Sequence, residues 1–371
     1  AAYFFFTQNK KIFYTTIIIV ERRTNMIKPE HLKEGDKVAI VSLSSGILGE
    51  PWAIHKLNIA KERLEKDFKL KVVVMPNALK GVDYLNKHPE KRAKDLMDAF
   101  KDKSIKAVFN AIGGEDTIRL LPYIDFNVLK QNPKIFTGFS DTTSNHLMMF
   151  KAGLVSYYGA SVMNNFAEYI KINDYTKNAI INTLFEPKSN LDIPASKEES
   201  FEPDKVWWSE ENMGTPRKYH QNTNGYEVLQ GSGKVQGRLL GGCVDTFIFS
   251  LGTSIWPSLN KWKNKILFLE TSEENMSAST LTRFLRNLNA QGIFDVIKGI
   301  IVGKPAFKEK YEEYKEVYKK VVGVEANKPN LPILYNVNFG HAEPIGIIPY
   351  GILCELDLDN KKITLKEKAT K

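Results

Sequence analysis

The chain has 371 residues, 43% hydrophobic and 26% charged, which supports a large buried core, favours two domains over one and excludes a disordered or fibrous protein. Its net charge of +9 is spread among interleaved acids, with no basic block carrying aromatics, so neither a nucleic-acid partner nor a membrane partner is expected. Cys243 and Cys354 lie in apolar surroundings without a CxxC partner, which points to buried thiols in a reducing compartment and against a disulfide frame or a cysteine zinc site.

Residues 1–25 contain two short apolar pieces, Phe4-Phe5-Phe6 and Tyr14 to Val20, split by Gln8-Asn9-Lys10-Lys11. They are too short to span a membrane and lack a signal-cleavage pattern, so they read as a leader, with the functional chain starting near Met26. A displaced strand or weak anchor is the other reading.

From Lys37 a regular alternation begins. Lys37 to Val41 is a buried strand, Leu57 to Phe68 a helix by apolar spacing, and Lys71 to Met75 a second strand closed by Pro76. A helix starts at His88-Pro89, with Pro in its first turn, and runs to Phe100. Ile105 to Ile112 is a third strand ending at Gly113-Gly114, Ile118 to Ile124 a short helix, and Lys134 to Thr137 a fourth strand. This alternation predicts α/β architecture with a parallel sheet covered on both faces. Ligands in such sheets bind beyond the carboxyl ends of the strands, where Gly46, Gly113, Gly114 and Ser140 all fall.

After a helix over residues 174–185 the composition shifts. Residues 186–236 are rich in Pro, Ser, Asn, Gly and charge, the profile of a long surface excursion between domains that covers a site. Its Trp207 and Trp208 either stack on a ligand or pin the loop. The division is therefore 26–185, an α/β domain; 186–236, a linker and active-site loop; and 237–371, a second domain. In the last, Ile266 to Leu269 is a strand that stops at Glu270, Met276 to Ala290 an amphipathic helix, and Val296 to Gly303 another strand. Glu309 to Val322 is a charged helix, and a strand-rich tail follows Val337-Asn338-Phe339-Gly340-His341.

The chemistry centres on Gly138-Phe139-Ser140-Asp141-Thr142, where an apolar strand breaks into a helix over residues 142–150. A serine on such a turn projects above the sheet, beside helix-opening amides that suit an oxyanion. Thr142 replaces the second glycine of the usual elbow, and a plain helix cap is the competing reading. A nucleophilic serine needs a histidine base and an anion to orient it. His31, His55, His88 and His220 lie in peripheral segments, and His146 turns to the opposite side of its helix. His341 follows an apolar strand and a glycine, while Glu270 is the carboxylate that abruptly ends a buried strand; Glu273 and Glu274 look solvated. Glu270 either orients His341 or caps the next segment.

Six blocks carry a resemblance: Asn110 to Gly114, Leu120 to Asp125, Gly138 to Thr143, Gly237 to Gly242, Leu267 to Glu270 and Gly340-His341. In this order they resemble the signatures of the LD-carboxypeptidase and microcin C immunity family of serine peptidases. The resemblance implies a Rossmann-like N-terminal domain plus a mostly β (α+β) C-terminal domain, with the site between them. It also implies a Ser140-Glu270-His341 triad, an oxyanion hole from the Gly114 turn and the Asp141 amide, and a cytoplasmic homodimer without metal or cofactor. Expected substrates are the L,D bond of a murein tetrapeptide or a peptidyl- or aminoacyl-nucleotide amide. Gly113, Trp207, Trp208 and Lys304 are the expected substrate contacts; Arg119, Arg238 and Lys304 are candidate cations for a substrate carboxylate, each of which reads more readily as a surface or structural charge. Cys243 stands where many members have Asn, and Thr271 where Asp often follows the triad acid. The Trp-containing insertion is closer to the microcin-immunity branch. A non-catalytic muropeptide- or nucleotide-binding protein on the same fold is the alternative.

Overall fold

A computed structural model describes residues 26–371, so the leader reading of residues 1–25 lies outside the described residues. In the N-terminal half β1 (Lys37–Val41), β2 (Lys71–Val74), β3 (Ile105–Asn110), β4 (Ile135–Gly138) and β5 (Tyr157–Tyr158) run parallel in the order β2-β1-β3-β4-β5. The central strands are almost wholly buried, which is why their sequences read as continuous apolar runs. Helices His55–Lys66, Pro89–Lys101 and Thr142–Ala152 pack against this sheet. The winding direction reverses between β1 and β3, so the loops after them part and leave a crevice at their carboxyl ends. The Ser45 amide donating to the Gly113 carbonyl at 3.1 Å fixes the spacing of those two loops.

The remaining strands are β6 (Leu191–Ile193), β7 (Glu198–Glu199), β8 (His220–Gln221), β9 (Glu227–Gln230), β10 (Lys234–Cys243), β11 (Lys265–Glu270), β12 (Gly299–Gly303), β13 (Ile333–Val337), β14 (Ile348–Pro349), β15 (Leu353–Asp357) and β16 (Lys362–Leu365). Among the described residues eight of them form a second sheet in the order β6-β16-β15-β10-β11-β12-β13-β9, and β7 pairs with β8. Its centre, β10 to β13, is parallel, so Cys243, Glu270, Gly303 and Val337 end on one edge. Helix Ala278–Ala290 buries Leu281, Phe284, Leu285 and Leu288, the stripe its spacing predicts, and the Ser277 hydroxyl caps it by accepting from the Thr280 amide.

Two boundaries differ from the sequence reading. The segment 186–236 is not one surface excursion, because β6 and β9 form the two outer edges of the second sheet and β10 already starts at Lys234. Edge strands this short are held by backbone pairing, and their polar, punctuated sequences look like loop. The segment 237–371 is not confined to one body either. Its β14 crosses over and pairs antiparallel with β5, extending the first sheet and locking the two halves together.

Candidate active site

Ser140 is placed by a forced turn. Gly138 has φ +155°, and a Cβ there would lie 2.8 Å from the Thr142 methyl, so only glycine lets the chain leave β4 in this direction. Ser140 itself adopts φ +63°, a left-handed conformation that an L-residue holds only at a cost. Its hydroxyl caps nothing, and the capping position belongs to Asp141, whose side chain makes no cap bond either. The Asp141 carboxylate instead accepts from the Ser44 hydroxyl at 2.5 Å and the Thr117 amide at 2.8 Å, tying the loops after β1 and β3 to the elbow. Buried Arg92 braces the same loops through the Leu43 and Ser44 carbonyls and a two-pronged pair with Asp116.

Gly113 passes directly over the nucleophile position. A Cβ on it would lie 2.8 Å from Ser140 Cβ and 3.0 Å from Oγ. Gly114 has φ +147°, and its own Cβ would strike the Ser44 hydroxyl. Among the described residues neither the Gly114 nor the Asp141 amide donates to a protein acceptor, leaving both N–H groups available to an anion.

His341 and Glu270 meet across the second sheet's carboxyl edge. Glu270, 1% exposed, accepts from His341 Nδ1 at 2.7 Å through Oε2. Gly340 makes the approach close: with φ +98°, its added Cβ would lie 2.6 Å from that oxygen. The Phe139 ring meets the imidazole edge-on, centroids 5.0 Å apart, and steadies its plane. Burial alone would lower the His341 pKa, but the Glu270 and Glu273 charges outweigh it and hold the pKa well above the ordinary value.

Sequence reasoning missed two members of this network. Tyr158 is buried on β5, donates to Glu270 Oε1 and accepts the Ser140 backbone N–H at 3.0 Å, linking elbow and acid in one chain of bonds. Its only signal was a Tyr-Tyr-Gly strand end. Glu273, expected in solvent, places Oε2 2.9 Å from His341 Nε2. That contact is an ion pair lying off the N–H axis, so Nε2 has no well-directed hydrogen bond. Burial would raise the Glu273 pKa, but the His341 charge pulls it down to about 2.

Ser140, His341, Gly113 and Gly114 border one cavity of about 550 Å³, whose walls include Trp207, Trp208, Lys205, Arg217 and Glu343. Trp208 is 8% exposed and pins the loop, its indole flanked by the Lys205 ammonium at 4.5 Å. Trp207 is 65% exposed and lies nearly parallel to Trp52, centroids 6.3 Å apart. Glu343 is pushed up to about 7 by burial, against the pull of nearby Arg217. Lys304 does not reach the cavity: it is fully buried and paired with Glu199 at 2.5 Å. Arg119 binds Asn86 and Asp116, and Arg238 binds Glu367 and the Gly351 carbonyl, so neither borders the cavity. Among the described residues the cations that do are Lys205 and Arg217, both within the segment 186–236.

Of the other histidines, His146 is buried against Ser156 and the Gly138 carbonyl, and His31, His55, His88 and His220 bond elsewhere. Among the described residues, donor atoms of Cys243, Glu270 and His341 lie within 4.8 Å of one another, a spacing that could hold a metal ion. The carboxylate and imidazole already satisfy each other, and burial with neighbouring carboxylates keeps the Cys243 thiol protonated, its pKa well above the ordinary value. No helix among the described residues is long and apolar enough to cross a membrane.

Residues 38–159 match the LD-carboxypeptidase N-terminal domain and residues 236–356 the LD-carboxypeptidase C-terminal domain. An MccF-like protein from Streptococcus pneumoniae, solved in complex with AMP, is 37% identical and superposes with a TM-score of 0.83 over 90% of this chain and 99% of its own. A Treponema pallidum protein provisionally named a carboxypeptidase is 32% identical, covering 75% of this chain and 77% of its own. The Escherichia coli microcin C7 self-immunity protein MccF is 29% identical, covering 75% of this chain and 79% of its own. A structure of the microcin C7 self-immunity protein holding aspartyl sulfamoyl adenosine superposes with a TM-score of 0.79 at 26% identity, over 93% of this chain and all of its own.

Proposed function

The chain belongs to the LD-carboxypeptidase family, and from that premise we propose that it is a serine-type amide hydrolase working through an acyl-enzyme. The observation that carries this reading is the 2.7 Å His341–Glu270 bond beside a serine held at φ +63° on the same cavity. Ser140 Oγ attacks the scissile carbonyl while His341 Nε2 takes its proton, and Glu270 holds the imidazole in the Nδ1–H tautomer and stabilises the imidazolium. The Gly114 and Asp141 amides receive the developing oxyanion. His341 then protonates the leaving nitrogen, the amine departs, and water deprotonated by His341 releases the acid from Ser140.

For the substrate we favour an aminoacyl-nucleotide amide over a murein L,D bond. Trp207 lines the cavity with a largely exposed indole, nearly parallel to Trp52 at 6.3 Å and to Trp208 at 6.4 Å, an aromatic surface suited to a planar base. Lys205 and Arg217, now paired with Glu202 and Glu168, are the cations on the cavity wall that a phosphate or sulfamate would draw on. Relatives solved with AMP and with aspartyl sulfamoyl adenosine support the same choice. The family resemblance further supports a cytoplasmic homodimer acting without a metal. The test is turnover of an aminoacyl sulfamoyl adenosine beside a murein tetrapeptide. Faster nucleotide cleavage, with KM raised about tenfold or more in Trp207→Ala, is expected from one lost stacking contact. Preferred cleavage of the tetrapeptide would reverse the substrate assignment, and tight binding without cleavage of either would favour a binding protein.

A further inference from the structure

His341 lies between two carboxylates, and the proposed mechanism uses only one of them. Glu270 takes Nδ1 at 2.7 Å, while Glu273 Oε2 stands 2.9 Å from Nε2, the atom that has to accept the Ser140 proton. A carboxylate beside each ring nitrogen favours the imidazolium, whose Nε2 carries a proton instead of a lone pair, and in that form the ring cannot act as a base. Drawing Glu273 away from the ring removes that bias and frees Nε2 to take a proton. Its position suits departure: the side chain is 45% exposed, and its contact with the ring is poorly directed.

Glu273 also borders two spaces that Ser140 borders too, the large cavity and a second one of about 60 Å³. Glu115, Asp245 and Glu274 line the small space as well, and no Lys or Arg among the described residues does. Ser140, His341 and Glu273 border the same cavity, so an acyl group on Ser140 Oγ shares its walls with the Glu273 carboxylate. That carboxylate, in acid-rich surroundings, attracts a cation.

We propose that Glu273 is a specificity-determining residue that receives a free ammonium group on the acyl side of the substrate, and that this exchange releases His341 to act as base. The inference rests on the hydrolase reading. The substrate ammonium replaces the imidazolium as the partner of Glu273, the Nε2 proton passes to water in the cavity, and His341 is left neutral with Nδ1–H donated to Glu270. An amide whose acyl amine is blocked leaves Glu273 on Nε2 and reacts slowly. The groups facing His341 in the resting state are Glu270 with Tyr158 behind it, Cys243 on the adjacent strand, Glu273 on its own loop with Lys205 beyond, and Ser140 across the cavity. Of these, Glu273 is a carboxylate that a substrate can draw away without dismantling the β11 edge.

The test compares wild type, Glu273→Gln and Glu273→Ala, each checked for fold by circular dichroism. Ser140 labelling by a neutral fluorophosphonate is followed across pH 5 to 9, and kcat/KM is measured for alanyl sulfamoyl adenosine and its N-acetyl derivative. In wild type the acid limb of labelling should lie at least about one pH unit above that of both variants, as loss of a contact anion requires. Wild type should prefer the free amine by about tenfold or more, the scale of one charged hydrogen bond, and the variants by less than about threefold. Labelling with coincident limbs in all three proteins would overturn the Glu273 proposal alone. A shifted limb with an unchanged amine preference would also overturn it. Absence of Ser140 labelling in every folded protein would remove the hydrolase reading and this proposal with it.

Discussion

Replacing Glu270 by Gln isolates the part of the site that depends on charge. The side chain keeps its shape, and its amide oxygen can still accept from His341 Nδ1, so the 2.7 Å geometry survives. The anion does not survive. Two unit charges at that separation attract by about 6 kcal/mol at the effective dielectric near 20 that suits protein sites. Part of this is recovered through the hydrogen bond that remains, leaving a loss of about 4 kcal/mol in the transition state, where the imidazolium forms, and a kcat about a thousandfold lower. Tyr158→Phe is the matched control: it removes the hydroxyl that donates to Glu270 Oε1 and accepts from the Ser140 amide, but leaves the charge in place. It should cost about tenfold, the scale of one buried hydrogen bond. The assay is kcat at saturating aminoacyl sulfamoyl adenosine for proteins with matching circular dichroism. A Glu270→Gln enzyme within tenfold of wild type would show that Glu270 is structural and refute its assigned role.

Other substitutions probe the elbow and the core. Ser140→Gly should be more stable than Ser140→Ala by about 1 kcal/mol in urea, because glycine adopts φ +63° without the penalty an L-residue bears; equal stabilities would mean the turn is unstrained. Gly113→Ala, whose Cβ would stand 2.8 Å from Ser140 Cβ and 3.3 Å from the Asp141 nitrogen, should lower kcat by about a hundredfold or more, as loss of one oxyanion donor does; near-normal turnover would exclude that turn from the oxyanion site. His146 is driven by burial to a pKa of about 3 from an ordinary 6.5. Between those values the unfolded chain binds the proton and the folded one does not, so stability falls as pH drops below 6.5, by about 2 kcal/mol at pH 5. His146→Gln should shrink the pH 7 to pH 5 stability difference by that amount, and an unchanged difference would show that the imidazole is protonated in place.

The sequence is most legible where burial and chemistry conflict. Ser140 and Glu270 each interrupt an apolar strand, and Gly340 marks the close approach that His341 requires, so these residues stand out against their surroundings. Tyr158 does not, since an aromatic in a buried strand is ordinary and its hydroxyl's partners are 18 and 112 residues away. Glu273 is hidden because an acid in a polar loop looks solvated until the fold brings it against Nε2. Lys304 shows the opposite case: of its two readings, substrate cation or structural charge, the second holds, because Glu199, 105 residues earlier, neutralises it in the interior. The parallel run of the first sheet follows from local alternation, whereas the edge positions of β6 and β9 and the crossing of β14 depend on long-range backbone pairing that leaves little trace in composition.

The most direct test of the account is intact-protein mass spectrometry after brief exposure to a fluorophosphonate at pH 8. Wild type should gain one adduct, mapped to the peptide holding Ser140. The adduct should be absent from Ser140→Ala and should form about a thousandfold more slowly in His341→Ala, the scale of losing a general base. A wild-type protein that stays unmodified, or an adduct that persists in Ser140→Ala, would contradict a nucleophile at the end of β4.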